Sequence, residues 1–287
     1  MDSSPREGAV MPLVVGVDGS EPSLRAVDWA ADAAALRRAS LRLVYASVWE
    51  RYEGASLGRG SDRPSEQVMA EDIVETAERR AHRRQPDVRI TTEVLPEEPE
   101  QALVRESQSA LAVVLGQRGR SGVTEALLGS VGVTVAEHAH CPVIVLPGGH
   151  DDQVRPGAGG RVVLGVDEKT AGSAALRFAA AEAGLRGVPL EAVHVLRHSL
   201  LGSAEREPDA ALALDKALRD VPVGLEVRRH TVTGRTRDAL LAASHDADLL
   251  VVGTRRRPGH FGPQLGRVAH GVLHHAACPV AVVPDLS

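Results

Sequence analysis

One unit appears twice in this chain, and that repeat governs what the rest can fold into. LVVGVDGSEPSLRAVDWAADAAALRRASLRLVYA lies over RVVLGVDEKTAGSAALRFAAAEAGLRGVPLEAVHV, so that Asp18 pairs with Asp167, Leu36 with Leu185 and Leu41 with Leu190, each 149 residues apart. Farther on, Gly116 pairs with Gly253, Gly129 with Gly266, Cys141 with Cys278 and Pro147 with Pro284, each 137 apart. The change of offset leaves the first copy with 12 extra residues in its middle. They fall at RYEGASLGRGSDRPSEQ, whose glycines and charges predict a loop. At 287 residues the chain is long for a single core, and length favours two domains. The repeat places them at residues 1–150 and 151–287, with PGGHDDQVRPGAGG, Pro147 to Gly160, as the linker.

Within each copy, short β-branched runs alternate with stretches of helical periodicity. The first copy predicts strands at Val14 to Val17, Leu41 to Val48, Val88 to Leu95, Leu111 to Leu115 and Val143 to Leu146. Helices are expected at Ser23 to Arg38, where Leu24, Val27, Ala31, Ala34 and Ala35 keep a helical spacing, at Val68 to Arg84, at Pro99 to Ser109 and about Ser130 to His138. The second copy repeats the strands at Val162 to Val166, Leu190 to Val195, Leu225 to Thr231, Leu249 to Val252 and Val280 to Val283. Such a βαβ series predicts an α/β fold, a mainly parallel sheet with helices on both faces.

Composition narrows the function classes. An apolar fraction of 43% suffices for a buried core, and a formal charge of -5 argues against a general electrostatic grip on nucleic acid. The stretch MDSSPREGAVMPLVVG has an acidic residue near its start and an apolar run too short for a signal peptide or a membrane span, so a cytoplasmic location without membrane contact is expected. Cys141 and Cys278 each precede a proline and read as isolated buried thiols. The final strands, within CPVIVLP and CPVAVVP, would be exposed edges on their own, so they are expected to meet across an internal pseudo-twofold.

The chemistry gathers in GQRGRSGVTEALLGS, Gly116 to Ser130, just past the fourth predicted strand. In parallel sheets ligands bind beyond the carboxyl ends of the strands, where strand order reverses. Asp18 and Gly116 both lie at such ends, so the fold should bring them together. Glycine lets the backbone approach a ligand and adopt positive φ, and a helix N-terminus offers unpaired amides to anions. Ser130 could cap that helix or donate its hydroxyl to a phosphate. The plainer alternative is that Gly116 and Gly119 only turn the chain, Ser130 only caps and Asp18 only closes a turn.

Gly116-x2-Gly119-x9-Gly129-Ser130, followed by VGVTVAEHAHCPVIVLP, resembles the nucleotide signature and last strand of the universal stress protein family. The resemblance covers nearly the whole chain, twice. It implies two Rossmann-like domains of the adenine nucleotide alpha hydrolase type, each a mainly parallel five-stranded sheet, binding ATP with or without Mg2+. On that resemblance Asp18 would accept a hydrogen bond from the adenosine part, beside Gly16 and the Ala46 backbone. Gly116, Gly119 and Gly129 would let amides reach the ribose and phosphates, and Ser130 with the Val131 amide would hold the phosphate tail. Arg118 and Arg120 would add charge, unless they are simply solvated loop arginines. The last strands would support domain pairing or a homodimer.

The second copy departs from this pattern. Gly165 and Asp167 match Gly16 and Asp18, but in Gly253-x2-Arg256-x9-Gly266-Arg267 arginines replace the second glycine and the serine. Either Arg267 fills the phosphate position, or Arg255, Arg256 and Arg257 grip an anion with their side chains. Loss or weakening of nucleotide binding is expected there.

Other constellations carry less. His270, His274 and Cys278 recur at every fourth residue, as metal ligands on a helix would, but Cys278-Pro279 should end that helix and favours a structural role. GVDGS lacks the pattern of a nucleophile elbow, and the glycine stretch has neither the P-loop lysine nor paired carboxylates for magnesium. Fast phosphoryl transfer therefore has no visible machinery. The first strand runs into DGSEPS instead of a Gly-x-Gly-x-x-Gly turn, which argues against a dinucleotide dehydrogenase. The expected function is that of an ATP-binding stress-response regulator. Nucleotide would be held mainly by the first domain, and would act through conformation on an unidentified protein partner. A slow ATP hydrolase and a scaffold with vestigial pockets are the rival readings.

Overall fold

Ten strands form one continuous sheet in the computed structural model, which describes residues 11–48, 65–117, 129–148, 160–167, 170, 172–196, 207–255 and 265–285. The first repeat runs β1 (Leu13–Gly16), α1 (Glu21–Arg37), β2 (Leu41–Ala46), α2 (Ser65–Arg84), β3 (Ile90–Leu95), α3 (Pro99–Glu106), β4 (Ala112–Gly116), α4 (Ser130–His138) and β5 (Val143–Leu146). The second runs β6 (Val162–Val166), α5 (Ala174–Arg186), β7 (Leu190–Leu196), α6 (Glu207–Ala217), β8 (Val227–Thr233), α7 (Thr236–Ser244), β9 (Leu249–Arg255), α8 (Arg267–His275) and β10 (Val280–Asp285). No helix among the described residues is long and apolar enough to cross a membrane.

The strand order is β3-β2-β1-β4-β5-β10-β9-β6-β7-β8. Each repeat thus contributes five parallel strands in the same order, with β1 and β6 at the positions where the order reverses. The one antiparallel ladder is the seam: Val143 pairs with Val282, Ile144 with Ala281 and Val145 with Val280. The expected meeting of the last strands takes this form, and it merges two five-stranded sheets into one of ten. All six seam residues are buried. Because β5 and β10 run in opposite directions, the carboxyl ends of the two parallel sets open on opposite edges of the molecule.

Alternation along each central strand feeds two apolar layers, which is why these strands read as unbroken apolar runs. Leu13, Val15, Leu43, Ile144, Leu164, Val251 and Ala281 face α1, α2, α5 and α6. Val14, Val113, Val145, Val163, Leu250 and Val280 face α3, α4, α7 and α8. Both layers run across the seam. In α1 the small residues Ala26, Ala30, Ala31, Ala33 and Ala34 are buried, so its axis can lie close to the sheet.

Element ends depart from the sequence reading where a local bond competes with the pattern. Val88 is buried but lies in a turn closed by its own N–H to the Gln85 carbonyl, so β3 begins at Ile90. The third helix turns 3-10 after Glu106, at Ser107–Ser109. In the second repeat β9 continues through Arg255, held by β10 as far as Asp285. The linker residues 149–159 and most of the extra loop of the first copy lie outside the described residues.

Candidate functional site

At the carboxyl ends of β1 and β4, where the strand order reverses, the first repeat has a cleft of about 330 Å³. That is at the small end of the range for small-molecule sites, roughly 300–1,000 Å³. Gly16 and Asp18 enter it from β1, Ala46 from β2 and Gly116 from β4, while Gly129, Ser130 and Val131 form the opposite wall. The fold therefore gathers every candidate of the first copy that the structure describes. Gly119, Arg118 and Arg120 lie outside the described residues.

Asp18 is fixed by the turn that starts α1. Its Oδ1 accepts from the Ser20 amide at 2.9 Å and the Ser20 hydroxyl at 2.6 Å. Ser20 is the N-cap of α1 and accepts from the Ser23 amide, and the Ser23 hydroxyl donates back to the Ser20 carbonyl at 2.8 Å. Gly19, at φ 79°, supplies the left-handed residue this turn needs. The carboxylate thus does close a turn, and it also borders the cleft.

The glycines differ in what demands them. A Cβ on Gly116 would sit 2.5 Å from the carbonyl carbon and oxygen of Pro22, so β4 meets the first turn of α1 backbone to backbone. Gly129 is the contrary case. A Cβ there would meet nothing within 4 Å, and φ is an ordinary -63°. Among the described residues no contact accounts for a glycine at that position.

Gly129 is the N-cap of α4, without a side-chain cap bond. The amides of the first turn, Ser130 to Gly132, have no carbonyl partner within the helix and border the cleft. This is the arrangement that binds anions at helix N-termini. Ser130 does not cap the helix, as one alternative had it: it is the first helical residue, one position too late, and its hydroxyl donates to Glu100 Oε1 at 3.4 Å.

The cleft also has walls the sequence reading missed. Pro99 and Leu103 come from α3, and Val44 and Leu115 from the strands beside the named glycines. The helical spacing of Pro99 and Leu103 was the available signal. A further omission is Gln117, buried directly after Gly116.

The second repeat keeps the frame and changes the fittings. Asp167 accepts from the Thr170 hydroxyl at 3.0 Å, replacing the Asp18–Ser20 turn. Gly266 caps α8 as Gly129 caps α4, and a Cβ there would meet none of the described residues within 4 Å. Among the described residues a Cβ on Gly253 would meet only Ala175 Cβ, at 3.3 Å, a looser approach than at Gly116. Gly165 faces Leu240. Arg267 opens α8 and is exposed, while Arg256 and Arg257 lie outside the described residues. At the positions of Glu98, Glu100 and Ser130 the second repeat carries Arg235, Arg237 and Arg267.

Among the described residues no group of three or more His, Cys, Asp or Glu could hold a metal ion. The rings of His270 and His274 lie 4.4 Å apart between centroids, tilted by 42°, and α8 ends at His275, before Cys278. Burial pushes both thiols up to about 12, away from the thiolate form.

Comparison with known proteins follows the same division. The model of the Universal stress protein family matches residues 10–147 and again 160–284. Universal stress protein Rv1996 of Mycobacterium tuberculosis is 32% identical over 301 residues, covering 94% of this chain and 94% of that protein. Universal stress protein Rv2005c of the same organism is also 32% identical, covering 94% and 96%. Among solved structures, a universal stress protein from Archaeoglobus fulgidus superposes with a TM-score of 0.73 at 19% identity, over 95% of this chain and 98% of that one.

Proposed function

From the premise that the chain belongs to the universal stress protein family, with two such units in tandem, we propose that it is a nucleotide-responsive regulatory protein whose first repeat binds ATP. The adenosine part would lie toward Asp18, Gly16 and the Ala46 backbone. The phosphates would lie against the amides of Ser130 and Val131, with Gly116, Gly119 and Arg120 completing the enclosure.

The observation that carries this reading is Gly129. A glycine that neither φ nor packing against the described residues requires, at the head of a helix whose first amides lack helical partners, leaves room for an anion where a side chain would intrude. The described donors at this helix start are main-chain amides and the Ser130 hydroxyl, which would position phosphate. Mg2+, where present, would come with the nucleotide, whose own oxygens supply its ligands.

In the second repeat the exposed arginines would replace backbone contacts with side-chain charge, so nucleotide binds there weakly or not at all. Binding acts through differential affinity: ATP favours whichever arrangement of the two repeats holds it better, and a protein partner reads that arrangement. Native mass spectrometry of the purified chain tests the reading. The expected spectrum shows one retained adenine nucleotide per chain, reduced by Asp18→Ala. A chain that stays nucleotide-free after incubation with millimolar ATP would favour the scaffold reading instead.

A further inference from the structure

Every polar group of Gln117 is hydrogen-bonded at the junction of the two repeats. Its main-chain N–H donates to the Leu146 carbonyl at 2.9 Å, and its carbonyl accepts from the Gly129 amide at 3.3 Å. In the side chain, Oε1 accepts from the Gly148 amide at 2.6 Å. Nε2 donates across the seam to the carbonyls of Leu273 at 3.2 Å and His274 at 2.9 Å. Those carbonyls belong to the last turn of α8, where helical carbonyls lack partners of their own. The amide side chain of one repeat thus caps a helix of the other.

The residue is 4% exposed and borders the first-repeat cleft. Moving it would strand buried donors and acceptors on both sides of the seam. Gly129, the N-cap next to the proposed phosphate position, therefore stands one residue away from the end of α8. The opposite end of α8 begins at Gly266 and Arg267, the second repeat's counterparts of Gly129 and Ser130. A nine-residue helix spans about 13 Å at 1.5 Å per residue, so α8 is a short rod running from the Gln117 contact to Gly266 and Arg267. The equivalent of Gln117 in the second repeat is Thr254, whose side chain is much shorter, and among the described contacts it makes no such bond to α4.

From this geometry we infer that Gln117 is a positioning residue through which the second repeat sets the first-repeat nucleotide site, and through which occupancy of that site is transmitted to α8. The inference rests on the nucleotide reading. An anion drawn onto the amides of α4 tightens the Gly129–Gln117 contact, and the Gln117 side chain conveys the change to the last turn of α8. Reciprocity requires that loosening α8 at that end weakens binding in the first cleft.

Hydrogen exchange of the full-length chain, with and without saturating ATP, tests this alongside calorimetric ATP affinity. Gln117→Glu keeps the acceptor for Gly148 and removes the two donors to α8, while Gln117→Leu removes both sets. In the unaltered chain ATP should slow exchange across 272–277 by about tenfold. Both variants should abolish that slowing and bind ATP about tenfold more weakly. A simple loss of stability would speed exchange with and without ATP, leaving the response to nucleotide intact. ATP binding without slowing in the unaltered chain, or equal slowing in either variant, overturns this inference alone. An unaltered chain that binds no ATP overturns the nucleotide reading, and this inference with it.

Discussion

Gly116 and Gly129 look alike in the sequence, two members of one spaced motif, yet the structure gives them different work. Gly116 is a packing glycine, with the carbonyl of Pro22 2.5 Å from the place its Cβ would occupy. Backbone cannot swing aside as a side chain can, so Gly116→Ala should cost about 1–3 kcal/mol in urea unfolding. A change within experimental error would show that β4 and α1 are not held together there. The spacing of glycines in the sequence could not separate these roles, because what demands Gly116 is the first turn of a helix some 90 residues earlier in the chain. Gln117 was illegible for a related reason. A glutamine after a strand has many uses, and its value here comes from two carbonyls more than 150 residues away.

The first helix opens earlier than its apolar spacing indicated, at Glu21 instead of Ser23. Ser20 and Ser173 each cap a helix through the amide three residues on, a pattern readable from serine before an apolar periodic run. In the repeat alignment, however, α5 starts one turn later than α1, and the turn it lacks is the one that packs on Gly116. At their other ends the two helices diverge in one residue. Both finish on a left-handed cap, Gly187 at φ 65° in α5 but Arg38 at φ 52° in α1. A side chain in that conformation costs about 1 kcal/mol that glycine does not. Arg38→Gly should accordingly raise the stability of the chain by about 0.5–1 kcal/mol in the same unfolding experiment, one of few substitutions expected to do so. A loss of stability would mean that the Arg38 side chain contributes more than its backbone costs.

Across the whole molecule, the repeat announced both halves and the pairing of their last strands, since strands as apolar as CPVIVLP and CPVAVVP needed covering. It gave no sign of the charged contact that crosses the α1–α5 face. There Arg37 pairs with Glu182, which also accepts from Arg186 at 3.2 Å and 3.3 Å, and the Arg186 guanidinium lies 5.3 Å from the Trp29 ring. Glu182 is 2% exposed, and burial together with the nearby Arg186 lowers Arg37 to about 10. Two largely buried guanidiniums share the Glu182 carboxylate, so Glu182→Ala should destabilise the chain by about 3–5 kcal/mol, whereas a surface ion pair would cost under about 1. A loss below 1 kcal/mol would show that the arginines reach water without it.

The central claim is that the open N-terminus of α4 is a phosphate site, and Gly129→Asp addresses it most directly. An aspartate at the N-cap would bond the first-turn amides itself and stabilise the helix by a few tenths of a kcal/mol, while placing negative charge where the phosphates would lie. Titration calorimetry with ATP on the full chain should therefore show affinity falling by about 100-fold, or about 2.7 kcal/mol, in a variant at least as stable as the original. Undiminished ATP affinity in that variant would contradict the account.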